Sequence, residues 1–330
     1  MTIKLETSRL GGTGLEVSTL GFGTWRFGHE DDKGNIHVGE SRAHALLDKY
    51  ASHGGNFVDT ANVYGDGQSE EYIGRWLADR DRRKFIVASK IYWPTRKSDP
   101  NASGLNRRHL RTQIDQILSR LDTSYLDILY VHRWDGTTDV GVVMRTLNQI
   151  ISEGKVNYIG FSTSIPNAWR VVRANEYAEK NGLEPFTVAQ PQYNLVTRQI
   201  EQEFLPMCRT YNIAVTTWSP LAGGFLTAKY RRDDTVEEDA RGNRDDYFED
   251  RYLIEQNFEI LDRVREVSDE SGLSPAQVSL QWLLNKQDIT APIIGARTVE
   301  QLNENVRSVT GSITDDQFER LNNSGDWKGY

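Results

Sequence analysis

Residues 56–91 read NFVDTANVYGDGQSEEYIGRWLADRDRRKFIVASKI, and their order decides the fold. A short apolar run, NFVDTA, gives way to a stretch of helical period, SEEYIGRWLADR, and then to a second apolar run, FIVASKI. Both runs are continuous rather than alternating, as in strands buried on two faces, and a helical crossover between such strands makes them parallel. Asp59 ends the first run, and Tyr64 follows in a glycine-rich turn. A carboxylate leaving a strand beside a loop tyrosine can serve proton transfer, because a phenol needs a charged neighbourhood to act far below its usual pKa of about 10. The same spacing also fits, and more commonly, an aspartate that caps the next helix and a tyrosine that packs at a strand end.

The strand–helix unit recurs in both directions. Upstream, ESRAHALLDKYASHGG is helical, and before it RLGGTGLEVSTLGFGTW reads as two short strands joined by Gly11 to Gly14, the second continuing into LGFGTW. These glycines lack the GKS/T ending and the GxGxxG spacing of phosphate loops, so they read as a hairpin turn. Downstream, NRRHLRTQIDQILSRLD carries Leu110, Ile114, Ile117, Leu118 and Leu121 on one stripe and leads into DILYVHR. The helical stretches DVGVVMRTLNQIISEGK, NAWRVVRANEYAEKNG and EFLPMCRTYN precede VNYIGFST, TVAQPQYN and AVTTWSP, and FEILDRVREVSDESG with SPAQVSLQWLLNK precedes APIIGA. From LGFGTW to APIIGA the count is eight strands. The expected fold is therefore α/β, a (β/α)8 TIM barrel with an N-terminal β-hairpin and long βα loops, formed by residues 1–330 as a single domain. An open doubly wound sheet is the alternative, but no strand–turn–helix carries the dinucleotide glycine fingerprint. Two connections are long: YWPTRKSDPNASGLN, and the stretch from Leu221 to Arg251. Both follow strand C-terminal ends, where loops of that length are decoration or lids.

Composition narrows the function. The 330 residues carry a formal net charge of -8 and a pI near 5.4, which argues against a nucleic-acid or anionic-lipid partner. The one cysteine, Cys208, allows no intrachain disulfide and no cysteine-based metal site, as suits a reducing compartment. No segment approaches the roughly 18 uninterrupted apolar residues of a membrane helix, and the N-terminus lacks the apolar run of a signal peptide. A cytoplasmic chain without membrane insertion is expected, in which the Asn101-Ala102-Ser103 sequon carries no meaning.

In a barrel the strand ends share one rim, and there Asp59, Lys90 and His132 fall on three consecutive strands with Tyr64 close by. Such a set suits proton donation to a carbonyl oxygen. A buried ammonium beside a tyrosine lowers the phenol's pKa, a carboxylate keeps the ammonium charged and placed, and a histidine can hydrogen-bond the carbonyl. No side chain carries reducing equivalents, so a bound cofactor must. A metal-dependent hydrolase is disfavoured, because among the six histidines only His132 stands at a strand end.

The stretches GFGTW, FVDTANVYGDGQSEEYIG, SKIYW, LYVHRWD, GKVNYIGFST, AQPQYN, WSPLAGGFLTAKY, SPAQVSLQWLL and GARTVEQLNEN cover nearly the whole chain. Together they resemble the aldo-keto reductase superfamily, and SKIYW, GLNRRHL and TTWSPLAGG are similar to its branch containing voltage-gated potassium channel β-subunits. The resemblance implies that Asp59, Tyr64, Lys90 and His132 form the catalytic tetrad, with Tyr64 as general acid in reduction and base in oxidation. Channel β-subunits tend to carry asparagine where His132 stands, so histidine implies a working enzyme.

The resemblance further implies that Thr24 and Trp25 line the nicotinamide end, that Ser162 and Gln190 bind its carboxamide, and that Trp218 stacks on its ring. Thr163 departs from the family's asparagine or arginine. Ser219, Leu221, Gly223 and Lys229 match the loop around the pyrophosphate, with Arg241 as a lid contact. Gly295, Arg297, Gln301, Glu304 and Asn305 match the segment at the adenosine phosphate, where Arg297 is placed to pair with a 2′-phosphate. The family's usual lysine and serine there are Gly295 and Ala296 in this chain. NADP(H) is thus the expected preference, with NAD(H) the alternative. Trp25, Phe27, Tyr92, Trp93 and Trp134 are the expected pocket walls. The implied activity is reversible reduction of aldehydes and ketones by an alcohol:NADP oxidoreductase acting on a small carbonyl or alcohol. Its rival is an NADP(H)-binding regulatory subunit of a membrane protein. Substrate and oligomeric state stay open, a homo-oligomer being compatible with this reading.

Overall fold

A computed structural model of the chain describes residues 3–31, 34–96, 98–162, 168–232 and 246–325. Strands β1 (Thr7–Arg9) and β2 (Glu16–Ser18) pair antiparallel. Eight parallel strands then close a barrel: β3 (Gly21–Gly23), β4 (Phe57–Asp59), β5 (Ile86–Ile91), β6 (Leu126–Val131), β7 (Val156–Phe161), β8 (Val188–Ala189), β9 (Ala214–Thr217) and β10 (Ala291–Ile294), which returns to β3. Each apolar run counted in the sequence supplies one barrel strand, so the expected (β/α)8 architecture holds. The hairpin differs in detail, because β2 stops at Ser18 and β3 is a separate strand. Leu10 and Val17 of the hairpin are packed with the barrel's interior residues, and the Ser8 hydroxyl donates to the Thr290 carbonyl just before β10. The hairpin therefore plugs the barrel's N-terminal end, and the chain must bend at residues 19–20 to turn from floor to wall.

The helices described are α1 (Glu40–Ser52), α2 (Gln68–Leu77), α3 (Arg107–Arg120), α4 (Val140–Ser152), α5 (Ala168–Asn181), α6 (Phe204–Thr210), α7 (Asp246–Tyr252), α8 (Glu255–Ser271), α9 (Pro275–Leu284), α10 (Val299–Arg307) and α11 (Asp315–Asn322). Their starts follow from side-chain caps: Asn106 accepts from the His109 amide, Asp139 from that of Gly141, and Ser274 and Thr314 close capping boxes with Gln277 and Gln317. Part of the long segment after β9 proves helical. In α7, Phe248 and Tyr252 stand one turn apart; Tyr252 stacks on Phe225 and Phe248 packs at a tilt on Tyr230, an aromatic pair spaced for one helix face.

Side chains along a strand alternate between faces, so every second residue enters the barrel. The interior cluster holds Phe57 on β4, Ala88 on β5, Ile128 and Tyr130 on β6, Val188 on β8, Ala214 on β9, and Ala291 and Ile293 on β10. Two residues further up these columns come Asp59, Lys90, His132, Gln190 and Thr216. The strand period alone thus gathers polar groups at the barrel's C-terminal mouth, above an apolar filling.

One buried ion pair fastens this wall from outside. Glu70 of α2 is fully buried, accepts from the Arg120 guanidinium at 2.7 Å and from the Ser89 hydroxyl, and so ties α2 and α3 to β5. Burial pushes the Glu70 carboxyl up despite Arg120, so this charge relies on its partner. Arg120→Leu is expected to cost about 3–5 kcal/mol in urea unfolding, and Arg120→Leu with Glu70→Leu to recover most of that loss.

Candidate active site

Asp59 ends β4, Lys90 is the penultimate residue of β5, and Tyr64 is brought over both by the turn between β4 and α2. That turn is built from left-handed residues: Gly65, Asp66 and Gly67 have φ of 55°, 53° and 98°. A Cβ on Gly65 would lie 2.6 Å from the Phe27 carbonyl oxygen, so only glycine permits the close approach that aims Tyr64 inward.

The Lys90 ammonium is the hub. It donates to Asp59 Oδ2 at 2.6 Å, to the Thr60 carbonyl at 2.9 Å and to Tyr64 Oη at 3.3 Å, which accounts for all three of its N–H bonds. The side chains of Lys90 and Asp59 are 1% and 5% exposed. Burial alone would push the Lys90 pKa down, yet Asp59 and Tyr64 carry it above its ordinary value, so the group stays charged. Burial raises the Tyr64 phenol above its usual value; Lys90 pulls it back, while Asp59 pushes it further up. The second Asp59 oxygen, Oδ1, accepts from Gln190 Nε2 at 2.8 Å.

His132 meets Tyr64 edge-on at 6.0 Å between ring centroids and Trp93 at 6.3 Å. Burial and then the Lys90 charge hold its imidazole down at about 3, so it is neutral. Its Nδ1 is buried without a partner in the protein. The three residues expected at the strand ends and Tyr64 of the turn are thus brought to one place.

The remaining expected residues divide. Trp93 joins this group, and Tyr92 stands behind it at 5.2 Å. Trp25 is partly exposed at the mouth, with its ring 5.0 Å from His29. Phe27 and Trp134 do not wall the site. Phe27 is 1% exposed and packs on Phe22, while Trp134 is 8% exposed and packs on Phe186, in the layer between barrel and helices. Both are drawn there by apolar area that no strand-end pattern reveals. Trp134 instead underlies a separate cavity of about 280 Å³ with Trp169, Arg170 and Arg173. The hydroxyls of Thr24 and Ser162 are engaged inside the protein, on the carbonyls of Asp59 and Gln190. Thr163 and Arg241 lie outside the described residues.

On the β9 side, Trp218 leaves 40% of its surface exposed. The loop after it puts Ser219, Ala222, Gly223, Gly224 and Ala228 at positive φ, and the amides of Ala222, Gly224 and Ala228 close tight turns on the carbonyls of Ser219, Leu221 and Phe225. Within it the Gly223 amide donates to Ser219 Oγ, Leu221 is partly buried, and the Lys229 ammonium reaches back over Gly224. After β10, Thr298 caps α10, Gln301 accepts from the Arg297 amide, and Asn305 donates to the Gly295 carbonyl; Glu304, beside them on α10, is half-buried. The exposed ring of Trp218, the Lys229 ammonium and the Arg297 guanidinium fit a dinucleotide in chemical type. Among the described residues no three His, Cys, Asp or Glu gather as metal ligands, and no helix is long and apolar enough to cross a membrane.

Three features escaped the sequence reading: the Gln190–Asp59 bond, the buried Tyr130 below it, and Glu70. Strict alternation along DILYVH would have put Tyr130 inside the barrel beneath His132.

A model described as the aldo/keto reductase family matches residues 19–326. Norsolorinic acid reductase stcV of Emericella nidulans is 34% identical over 311 residues, spanning 92% of this chain and 77% of that protein. A probable voltage-gated potassium channel subunit beta of Arabidopsis thaliana is 33% identical over 311 residues, 92% of this chain and 91% of its own. The uncharacterized oxidoreductase YrpG of Bacillus subtilis is 34% identical over 329 residues, 96% and 95%.

The neutral His132 carries a pH signature. Unfolded, it takes a proton near 6.5; folded, only near 3. Its lowered pKa means stability is whole above 6.5 and is lost as pH falls toward 3, because the unfolded chain binds the extra proton. The urea midpoint is expected to fall between pH 7 and pH 5, and less steeply in His132→Asn.

Proposed function

Since the chain belongs to the aldo/keto reductase family, we propose that it is an NADPH-dependent oxidoreductase that reduces aldehydes and ketones to alcohols, reversibly, with Tyr64 as general acid and base. The observation that carries this reading is one buried ammonium touching one phenol and one carboxylate, with a neutral imidazole alongside. A bound nicotinamide supplies the hydride. The protein's own task is to place the carbonyl, exclude water and deliver a proton to its oxygen. Lys90 polarises Tyr64 Oη and stabilises the phenolate left after the proton departs, and Asp59 keeps Lys90 charged in a dry site. His132, neutral and with its ring edge-on to Tyr64, is suited to hydrogen-bond the substrate oxygen and orient it toward Tyr64.

Trp218 is suited to stack on the nicotinamide, the loop from Ser219 to Lys229 to hold the pyrophosphate, and Arg297 to pair with the adenosine 2′-phosphate. With the Gln190 nitrogen turned onto a carboxylate, its amide oxygen is the atom left for a carboxamide N–H, since an oxygen facing Asp59 would be repelled. The regulatory-subunit reading is not favoured, because it leaves the buried ammonium and phenol without employment.

Purified protein should consume NADPH with a reactive aldehyde such as a nitrobenzaldehyde, followed by absorbance. Tyr64→Phe is expected to lower kcat by about 10²–10⁴ with cofactor binding retained, and normal turnover in that variant sinks the assignment. Arg297→Leu should reduce the NADPH-to-NADH preference in kcat/KM roughly tenfold, the worth of about 1.4 kcal/mol, while leaving NADH turnover little changed.

A further inference from the structure

Below Asp59 and Lys90 the barrel interior holds a phenol that no step above employs. Tyr130 is fully buried on β6, with Lys90 Nζ 5.9 Å from its ring centroid and its hydroxyl 3.2 Å from Thr216 Oγ1 on β9. The chain makes room for this ring. In register with Tyr130 on β7 stands Gly160, where a Cβ would lie 2.7 Å from two carbons of the ring and 2.5 Å from the Val188 carbonyl oxygen. Phenylalanine would fill the same volume without a buried hydroxyl to satisfy, and an unsatisfied one costs about 1–3 kcal/mol.

The hydroxyl's neighbours lead to the site. The Thr216 hydroxyl that it meets donates in turn to the Ala189 carbonyl at 3.3 Å, one residue before Gln190, and the Gln190 amide gives Nε2 to Asp59 Oδ1. Gln190 is also held through its backbone, which receives the Ser162 hydroxyl at 3.0 Å. A carboxylate held at Oδ1 loses its freedom to swing about the Cβ–Cγ bond, so Oδ2 is presented in one direction, to Lys90. We propose that Tyr130 is a positioning residue. Acting through Gln190, it fixes Asp59 and hence Lys90 in the arrangement that sets the acidity of Tyr64, without touching substrate.

This inference rests on Tyr64 as the proton donor. Every charged or titratable group facing Tyr64 enters the balance. Asp59 on β4 and Lys90 on β5 are the charged pair, His132 above β6 is held neutral, and Glu70 of α2 stands behind Lys90 with its charge taken by Arg120. The Tyr130 hydroxyl is held far above its ordinary value by burial and stays protonated, so it acts as a hydrogen-bonding group and not as a charge. When that hydroxyl is deleted, Thr216 and the end of β8 that carries Gln190 lose an anchor, Asp59 turns more freely, and Lys90 is shared less consistently with Tyr64. The phenolate is then stabilised less, and the Tyr64 pKa rises.

The test uses the full chain labelled with [¹³Cζ]tyrosine, in which the Tyr64 resonance is assigned by its loss in Tyr64→Phe. Its titration midpoint should move up by about half to one pH unit in Tyr130→Phe, and by less, in the same direction, in Thr216→Val. The pH at which aldehyde reduction with NADPH falls off should move with it, with kcat changed more than the KM of the aldehyde. A merely structural role would lower the melting temperature and leave both midpoints in place, which overturns the proposal. Thr216→Val decides the matter if Tyr130→Phe does not fold. A resonance that moves in a chain without turnover removes the reductase reading and leaves the positioning role standing; turnover with an unmoved resonance does the reverse.

Discussion

Everything at the mouth of this barrel depends on keeping one ammonium charged out of water. Taking a lysine and an aspartate into the interior costs several kcal/mol for each ion, and their attraction offsets that only when the remaining hydrogen-bonding capacity is used. Here it is used: Lys90 spends its three N–H bonds on Asp59, Thr60 and Tyr64, and Asp59 accepts from both Lys90 and Gln190. The network joins β4, β5 and the end of β8 with the turn carrying Tyr64. A site so closed cannot relax around a lost partner, which makes it costly as a stabilising device and useful as a rigid one.

Much of this was readable before any coordinates, and the physical reason is periodicity. Eight continuous apolar runs separated by helical stretches can be buried only as parallel strands under helices, and parallel strands that close share a rim. Once Asp59, Lys90 and His132 are placed on consecutive strand ends, their meeting follows from the fold. The unread part is what periodicity does not encode. Gln190 reaches Asp59 across 131 positions of sequence, and nothing local in AQPQYN announces it. Phe27 and Trp134 were expected at the pocket because aromatics near strand ends commonly line it, yet neighbouring apolar surface claimed both. The start of α7 was hidden in a charge-rich stretch, although its Phe248–Tyr252 spacing is helical.

The cofactor side obeys a different constraint. A dinucleotide brings two phosphates into a chain of net charge -8, so affinity must come from local geometry and not from the overall field. Under the function proposed above, the lysine over Gly224 and the arginine after β10 are placed to supply that local charge.

The barrel interior also grades in polarity from floor to mouth, and the grading has a function. Leu10 and Val17 seal the bottom, Phe57, Ile128 and Val188 fill the middle, and Tyr130 and Thr216 supply hydroxyls just under the charged layer. A phenylalanine in place of Tyr130 would exclude water equally well but would give the network around Asp59 nothing to orient against. A charged residue there would compete with Lys90 for Asp59 or repel it. Neutral hydroxyls and one amide between oil and ions avoid both costs, because they hold direction without adding charge. In such a stack the proton affinity of Tyr64 is set partly by neutral groups that do not touch it, which is why Gly160 on β7, which makes room for Tyr130, belongs to the chemistry as much as to the packing.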